Sequence, residues 1–301
     1  MIQILNSAAQ QFLDNLNQIG NAMTTAQEQV STGLKITQPS DAPDSISALL
    51  EAHANLASTQ QTLSNLGLYT TEVNTGEQAL ETTVTNFDQV QTLAAEGATS
   101  TQTAAGNAGL AQQVNSLLQQ MVGLADSKSG NRYIFAGDQD QQIPYTYDAT
   151  ATPPVSAYGG SSSTRLAEGV NGATFPVALT AQQIFDSTAP ATNVFTSMEN
   201  LSTALASNNS AAILTALNGL PAVGQYLNTQ LSFYGNVQDQ LASATTYGQT
   251  VQTQQQADVA NLQDADVTQS ILELTQAQTQ QQAALQSEGQ IPRTTLFNFL
   301  S

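Results

Sequence analysis

Few residues in this chain could do chemistry. His53 is the sole histidine, and an imidazole titrating near neutrality suits general acid–base work. It would need a nucleophile, and no nucleophile-elbow sequence supplies one. Its spacing from Ile46 and Leu56 puts it on a helix face, where it reads as a packing residue. Asp138 and Asp140 invite a calcium-loop reading, but that loop would have Ile143 at its sixth position and Ala149 at its twelfth. Glycine and glutamate are needed there. Asp41/Asp44 and Asp264/Asp266 are carboxylate pairs of the type that share protons in acid–base dyads. Flanking helices as they do, they are more simply caps or solvated faces. No phosphate-cradling glycine loop occurs, and without cysteine there is no thiolate chemistry. The expectation is a protein that is not an enzyme, with no cofactor and no metal.

Charge narrows the partners. Five Lys+Arg stand against 23 Asp+Glu, a net charge of -18. Such a surface repels nucleic acid and anionic membrane, since phosphate binding needs clustered cations. Yet charged residues are only 9% of the chain. The polar faces are Gln, Asn, Ser and Thr, which lets identical surfaces approach without like-charge repulsion. No apolar run approaches the ~18 residues of a membrane span. The N-terminus lacks a basic region followed by a continuous apolar stretch, so no cleaved signal is expected.

With no catalytic constellation to position, the elements themselves carry the function. Ile2, Leu5, Ala9, Phe12, Leu16, Ile19, Met23, Ala26 and Val30 fall in alternating steps of three and four. That is the narrow seam of a coiled coil, which cannot bury itself on one helix. Its partner is sought at the other end, where Val267, Ile271, Leu274 and Leu285 return to heptad spacing, with Gln278 and Gln281 at intervening positions. Together these residues form the expected assembly seam.

The segments between divide by composition. Residues 1–42 form the N-terminal coiled-coil segment, pairing with 260–301. Gly33 stops the first helix, Ser40 or Asp41 caps the next, and Pro43 sits in its first turn. Residues 43–136 form the first half of a helical rod, with a long helix over 43–103 that Gly67 and Gly76 weaken. Arg132 to Ala136 reads as a strand. Residues 137–187 are a β-rich insert, rich in Gly, Pro, Ser and Tyr. Its core should be thin and its mobility high. Residues 188–259 form the second half of the rod, with Pro221 starting the final long helix. Gly289 and Pro292 end the C-terminal segment, and Leu296, Phe297, Phe299 and Leu300 make an apolar tail. The fold class is mainly α with a small β insert: an elongated antiparallel helical bundle or coiled coil built from the two ends, with a central β-rich domain.

Each end alone buries too little apolar surface to offset the entropy of ordering its backbone. Residues near 1–40 and 260–301 are therefore expected to stay unfolded in a lone subunit and to order against neighbours on assembly.

Two blocks resemble a known family. Ser31-Thr32-Gly33-Leu34-Lys35-Ile36 followed by Ser40-Asp41-Ala42-Pro43 resembles the signature closing the first helix of the flagellin family, with Ala42 where that family carries a second Asp. Asp264-Ala265-Asp266-Val267 through Leu274, then Gln281-Gln282-Ala283-Ala284-Leu285 and the tail, resembles its terminal helix. Gly130-Asn131-Arg132-Tyr133-Ile134-Phe135-Ala136-Gly137, then Ile143-Pro144-Tyr145, and the ending Thr295-Leu296-Phe297-Asn298-Phe299-Leu300 are most similar to the family's hook–filament junction members. The resemblance implies a structural subunit of the extracellular bacterial flagellum. It implies type III export without a cleaved signal, and a ring of copies between hook-associated protein 1 and flagellin. It also implies an export chaperone, expected to hold the C-terminal segment and the tail residues Leu296, Phe297, Phe299 and Leu300. The alternatives are a filament flagellin and, from another class, a secreted coiled-coil adhesin or fibre protein.

Overall fold

A computed structural model describes residues 2–289, with side chains over 10–287. The described residues form seven α-helices and two small antiparallel sheets, in two compact units. One unit is 1–58 with 252–301; the other is 59–251.

The first unit holds helix α1 (Ile2–Thr32), the start of α2 (Ile46–Gly97), the end of α6 (Ser210–Gln263) and α7 (Val267–Gly289). Helix α1 packs along α7. The two run antiparallel: Gln29 near the end of α1 meets Ser270 near the start of α7, and Leu34 bridges Asp264. Small buried side chains (Ala26, Ser270, Ala277) let the two backbones approach closely, and a backbone bridge ties their ends together.

The second unit is built on the long helices α2 and α6, which run antiparallel within it. Gly76 of α2 lies against Tyr234 of α6, and Gly224 of α6 lies against Phe87 of α2. Their buried residues repeat every seventh position. Leu66, Val73, Leu80, Phe87 and Ala94 line α2, while Ile213, Leu220, Leu227, Tyr234 and Leu241 line α6. This is coiled-coil packing inside a globular core. Helix α3 (Ala104–Ala125), capped by Thr103, packs on α5 (Val194–Ala206), capped by Asn193.

The β-rich stretch is not a thin body of its own. Strands β1 (Lys128–Ser129) and β2 (Arg132–Tyr133) form one hairpin, and β3 (Leu166–Glu168) and β4 (Thr174–Pro176) form another. Its apolar residues Tyr145, Val155, Ala167, Val177, Ile184 and Phe185 join the same core as the helices, with Phe185 in the short helix α4 (Ala181–Phe185). Phe135 is the pivot: its ring meets Phe185 and Tyr234 edge-on, each at 6.3 Å. Its carbonyl accepts from Tyr158 Oη at 2.9 Å and from Ala181 N at 2.8 Å. Arg165 pairs with Glu72 at 2.9 Å and donates to the Ile134 carbonyl at 2.9 Å. Glu72 also faces Arg132 at 3.5 Å, and Arg132 bonds Asp140. Two of the five cations in the chain thus tie the insert to α2.

Several expected boundaries move. Pro221 lies inside α6 rather than at a helix start, because heptad burial on both sides, at Ile213 and Leu220 before it and Leu227 after, holds the helix through the missing N–H. Helix α2 starts at Ile46, since the Asp41 carboxylate turns back to accept from Thr37 N and Gln38 N instead of capping forward. Beyond Tyr133 the strand stops: Ile134, Phe135 and Ala136 are buried but spend their backbone groups on Ser127, Ala181 and Ser161.

Candidate assembly interface

The terminal helix pair is the candidate functional surface, and it is organised by the break between α6 and α7. Gly33 ends α1 with φ +72, the left-handed turn that glycine allows, and its N–H returns to the Gln29 carbonyl at 2.8 Å. The chain then runs beside the break. Lys35 N donates to the Gln263 carbonyl at 2.6 Å, and Ala265 N donates to the Gly33 carbonyl at 2.9 Å. Ile36 is buried beneath this bridge. Gln263 also reaches His53, with 3.2 Å between Nε2 and Oε1. His53 is thus a hydrogen-bonding residue that ties α2 to the end of α6 beside the break.

The carboxylates of this region act as local caps. Asp266 accepts from Thr268 N at 2.9 Å and Gln269 N at 3.1 Å, opening α7. Asp41 accepts from Gln38 N at 2.8 Å and Thr37 N at 2.9 Å, and these backbone bonds hold its pKa below the usual carboxylate value. Among the described residues, no three His, Asp or Glu side chains are grouped to hold a metal ion, and no helix is long and apolar enough to cross a membrane.

The seam of α1 lies where its spacing puts it. Phe12, Leu16, Ile19, Met23 and Val30 are half-buried and Ala26 is buried, while Leu13, out of register, is exposed. The side chains of Ile2 and Leu5, and all of Leu296, Phe297, Phe299 and Leu300, lie outside the described residues.

Helix α7 is set differently from the sequence reading. Its covered face is Ser270, Leu274, Ala277, Gln281 and Ala284, also in steps of four and three. Of the expected apolar residues only Leu274 belongs to it, together with Gln281 from the intervening positions. Val267, Ile271 and Leu285 are 41%, 48% and 54% exposed. By helical periodicity they form one stripe flanking the covered face. Apolarity favours one register and close approach the other: the smaller residues go inward, so that Ser270 can reach Gln29 at 2.9 Å. The backbone bridge of 33–36 with 263–265, which sets this register, left only the Gly33 signal in the sequence.

Comparison with known proteins gives three findings. Residues 5–140 match the bacterial flagellin N-terminal helical region. The chain is 26% identical over 293 residues to flagellar hook-associated protein 3 of Escherichia coli, covering 87% of this chain and 89% of that protein. It is 29% identical over 290 residues to the protein of the same name in Salmonella typhimurium, covering 86% of each. Its fold is similar to the solved flagellar junction protein FlgL of Legionella pneumophila, with a TM-score of 0.55 at 12% identity, covering 72% of this chain and 99% of that one.

Proposed function

From a chain whose residues 5–140 match the bacterial flagellin N-terminal helical region, we infer a structural subunit of the extracellular bacterial flagellum, seated at the junction between hook and filament. The observation that carries this reading is the pair of terminal helices. They come from opposite ends of a chain similar over nearly its whole length to two hook-associated protein 3 sequences. Helix α7 also leaves an apolar stripe about half exposed, at Val267, Ile271 and Leu285.

Assembly uses both faces of that pair. The seam of α1, from Phe12 to Val30, is only half covered by the small side chains of α7, and Val267, Ile271 and Leu285 are exposed beside it. Neighbouring copies in a ring complete this burial, with hook-associated protein 1 on one side and flagellin on the other. Before assembly an export chaperone holds the C-terminal segment, and the subunit leaves by type III export without a cleaved signal. The role is mechanical, with no reaction catalysed.

Cells lacking the protein should show intact hooks under the electron microscope and shed filaments into the medium. Hooks bearing normal filaments would overturn the reading. Ile271→Asp with Leu285→Asp should leave the thermal transition of the monomer nearly unchanged yet fail to restore attached filaments. Purified protein extending filament seeds without limit would favour a filament flagellin. A stable parallel trimer in solution would favour an adhesin or fibre segment.

A further inference from the structure

The chain contains two Asn-Gly pairs, Asn171-Gly172 and Asn218-Gly219, and the fold treats them oppositely. We propose that Asn171 is a site of spontaneous modification, in which its own backbone converts it to aspartate and isoaspartate, while Asn218 is protected by its helix. The Gly172 nitrogen, losing its proton to water, attacks Asn171 Cγ. The Cγ–Nδ2 bond breaks and ammonia leaves, closing a five-membered imide. Water then opens either carbonyl, so the net change is one water consumed and one ammonia released.

Asn171 meets the requirements of this reaction. It is exposed, at the tip of the hairpin between β3 and β4. Gly172 has φ +76 and open space where a side chain would stand, so no neighbouring group crowds its approach to Asn171 Cγ on that side. Ala173 N donates to Asn171 Oδ1 at 3.1 Å. That bond polarises the amide and stabilises negative charge on the oxygen as Cγ is attacked, the logic of an oxyanion hole. The Gly172 N–H donates to the Gly169 carbonyl at 2.9 Å, and this bond must open. It belongs to an exposed turn between strands of three residues, where local opening costs little.

Asn218-Gly219 has equal space around its glycine but sits inside α6, flanked by the half-buried Leu217 and the buried Leu220. There the following amide is held in the helical ladder and cannot swing toward Cγ. The product at 171 also has a consequence. Asn171 and Asp239 line the same groove against α6. A new carboxylate there repels Asp239, and the isoaspartyl form adds a methylene to the backbone of the turn, so conversion loosens the hairpin from α6.

The test is peptide mapping by mass spectrometry of the full-length protein, aged in buffer at mildly alkaline pH. Asn171 should convert on the order of a hundredfold faster than Asn218, the scale on which misplacing reacting atoms slows a reaction. In denaturant the two sites should convert at similar rates. Asn171→Gln, whose imide ring would be larger and form far more slowly, should leave the hairpin folded and abolish the modification. If Asn171 stays intact in the folded protein and converts only in denaturant, or if both sites convert equally when folded, the proposal fails.

Discussion

Ser270 Oγ donates to Gln29 Oε1 at 2.9 Å across 241 residues of sequence, sharing its one proton with the Asp266 carbonyl at 3.0 Å. Ser270 is buried between the two helices. A hydroxyl this deep in an apolar seam favours one register, because a slip of the helices would take Gln29 Oε1 away from its donor across the pair and leave the hydroxyl to its own helix.

Ser270→Ala should therefore cost about 1 kcal/mol, the ordinary worth of such a bond. Hydrogen exchange should show the loss as faster opening of the last turns of α1, with amides between 59 and 251 unchanged. Equal acceleration in both units would mean that Ser270 does not act locally on the helix pair.

Two glycines of α2 should respond with opposite signs. At Gly67 an added Cβ meets nothing within 4 Å, so Gly67→Ala should gain roughly 0.5–1 kcal/mol from helix propensity. At Gly76 the same Cβ would come within 2.6 Å of Tyr234 Cε1. Tyr234 is fully buried and accepts from Leu179 N at 3.3 Å, so it cannot easily yield. Gly76→Ala should lose roughly 1–3 kcal/mol through overpacking. Urea unfolding of the two variants distinguishes these outcomes.

Burial pushes the Asp126 carboxyl up to about 6 from its ordinary 3.8, against the opposing pull of the Tyr145 N–H, which donates to Oδ1 at 3.0 Å. Between those pH values the folded chain holds a proton that the unfolded chain has lost. This group therefore makes stability fall as pH rises from about 3.8 to about 6, with no further change above. Asp126→Asn keeps the acceptor and removes the charge. Its melting temperature should exceed the wild type at neutral pH and converge with it near pH 3.8, and equal pH profiles would refute this.

Arg165 and Arg132 both face Glu72, but only Arg165 is nearly buried. Arg165→Met leaves Glu72 short of a partner and the Ile134 carbonyl without its donor, and should cost roughly 3–5 kcal/mol. Arg132→Met, at a half-exposed side chain, should cost less than about 1 kcal/mol. Thermal unfolding of both variants gives the comparison.

The seam of α1 was legible in the sequence because apolarity and spacing agree there: Phe12, Leu16, Ile19, Met23, Ala26 and Val30 are all wholly or partly covered, and Leu13 between them is not. Tertiary structure decided the register of α7. There Val267-Ile271-Leu274 and Ser270-Leu274-Ala277 offer the same periodicity, and hydropathy alone selects the first. Close helix approach, a hydrogen bond between residues 241 positions apart and a backbone bridge to 33–36 select the second. The packing of the β-rich stretch was likewise decided by tertiary structure. Its apolar residues are too sparse for a core of their own, and nothing local reveals that Phe135, Tyr145 and Phe185 share a core with the heptads of α2 and α6. Periodicity within a helix is written in neighbouring residues, whereas the choice of which face meets which partner depends on groups brought together only by folding.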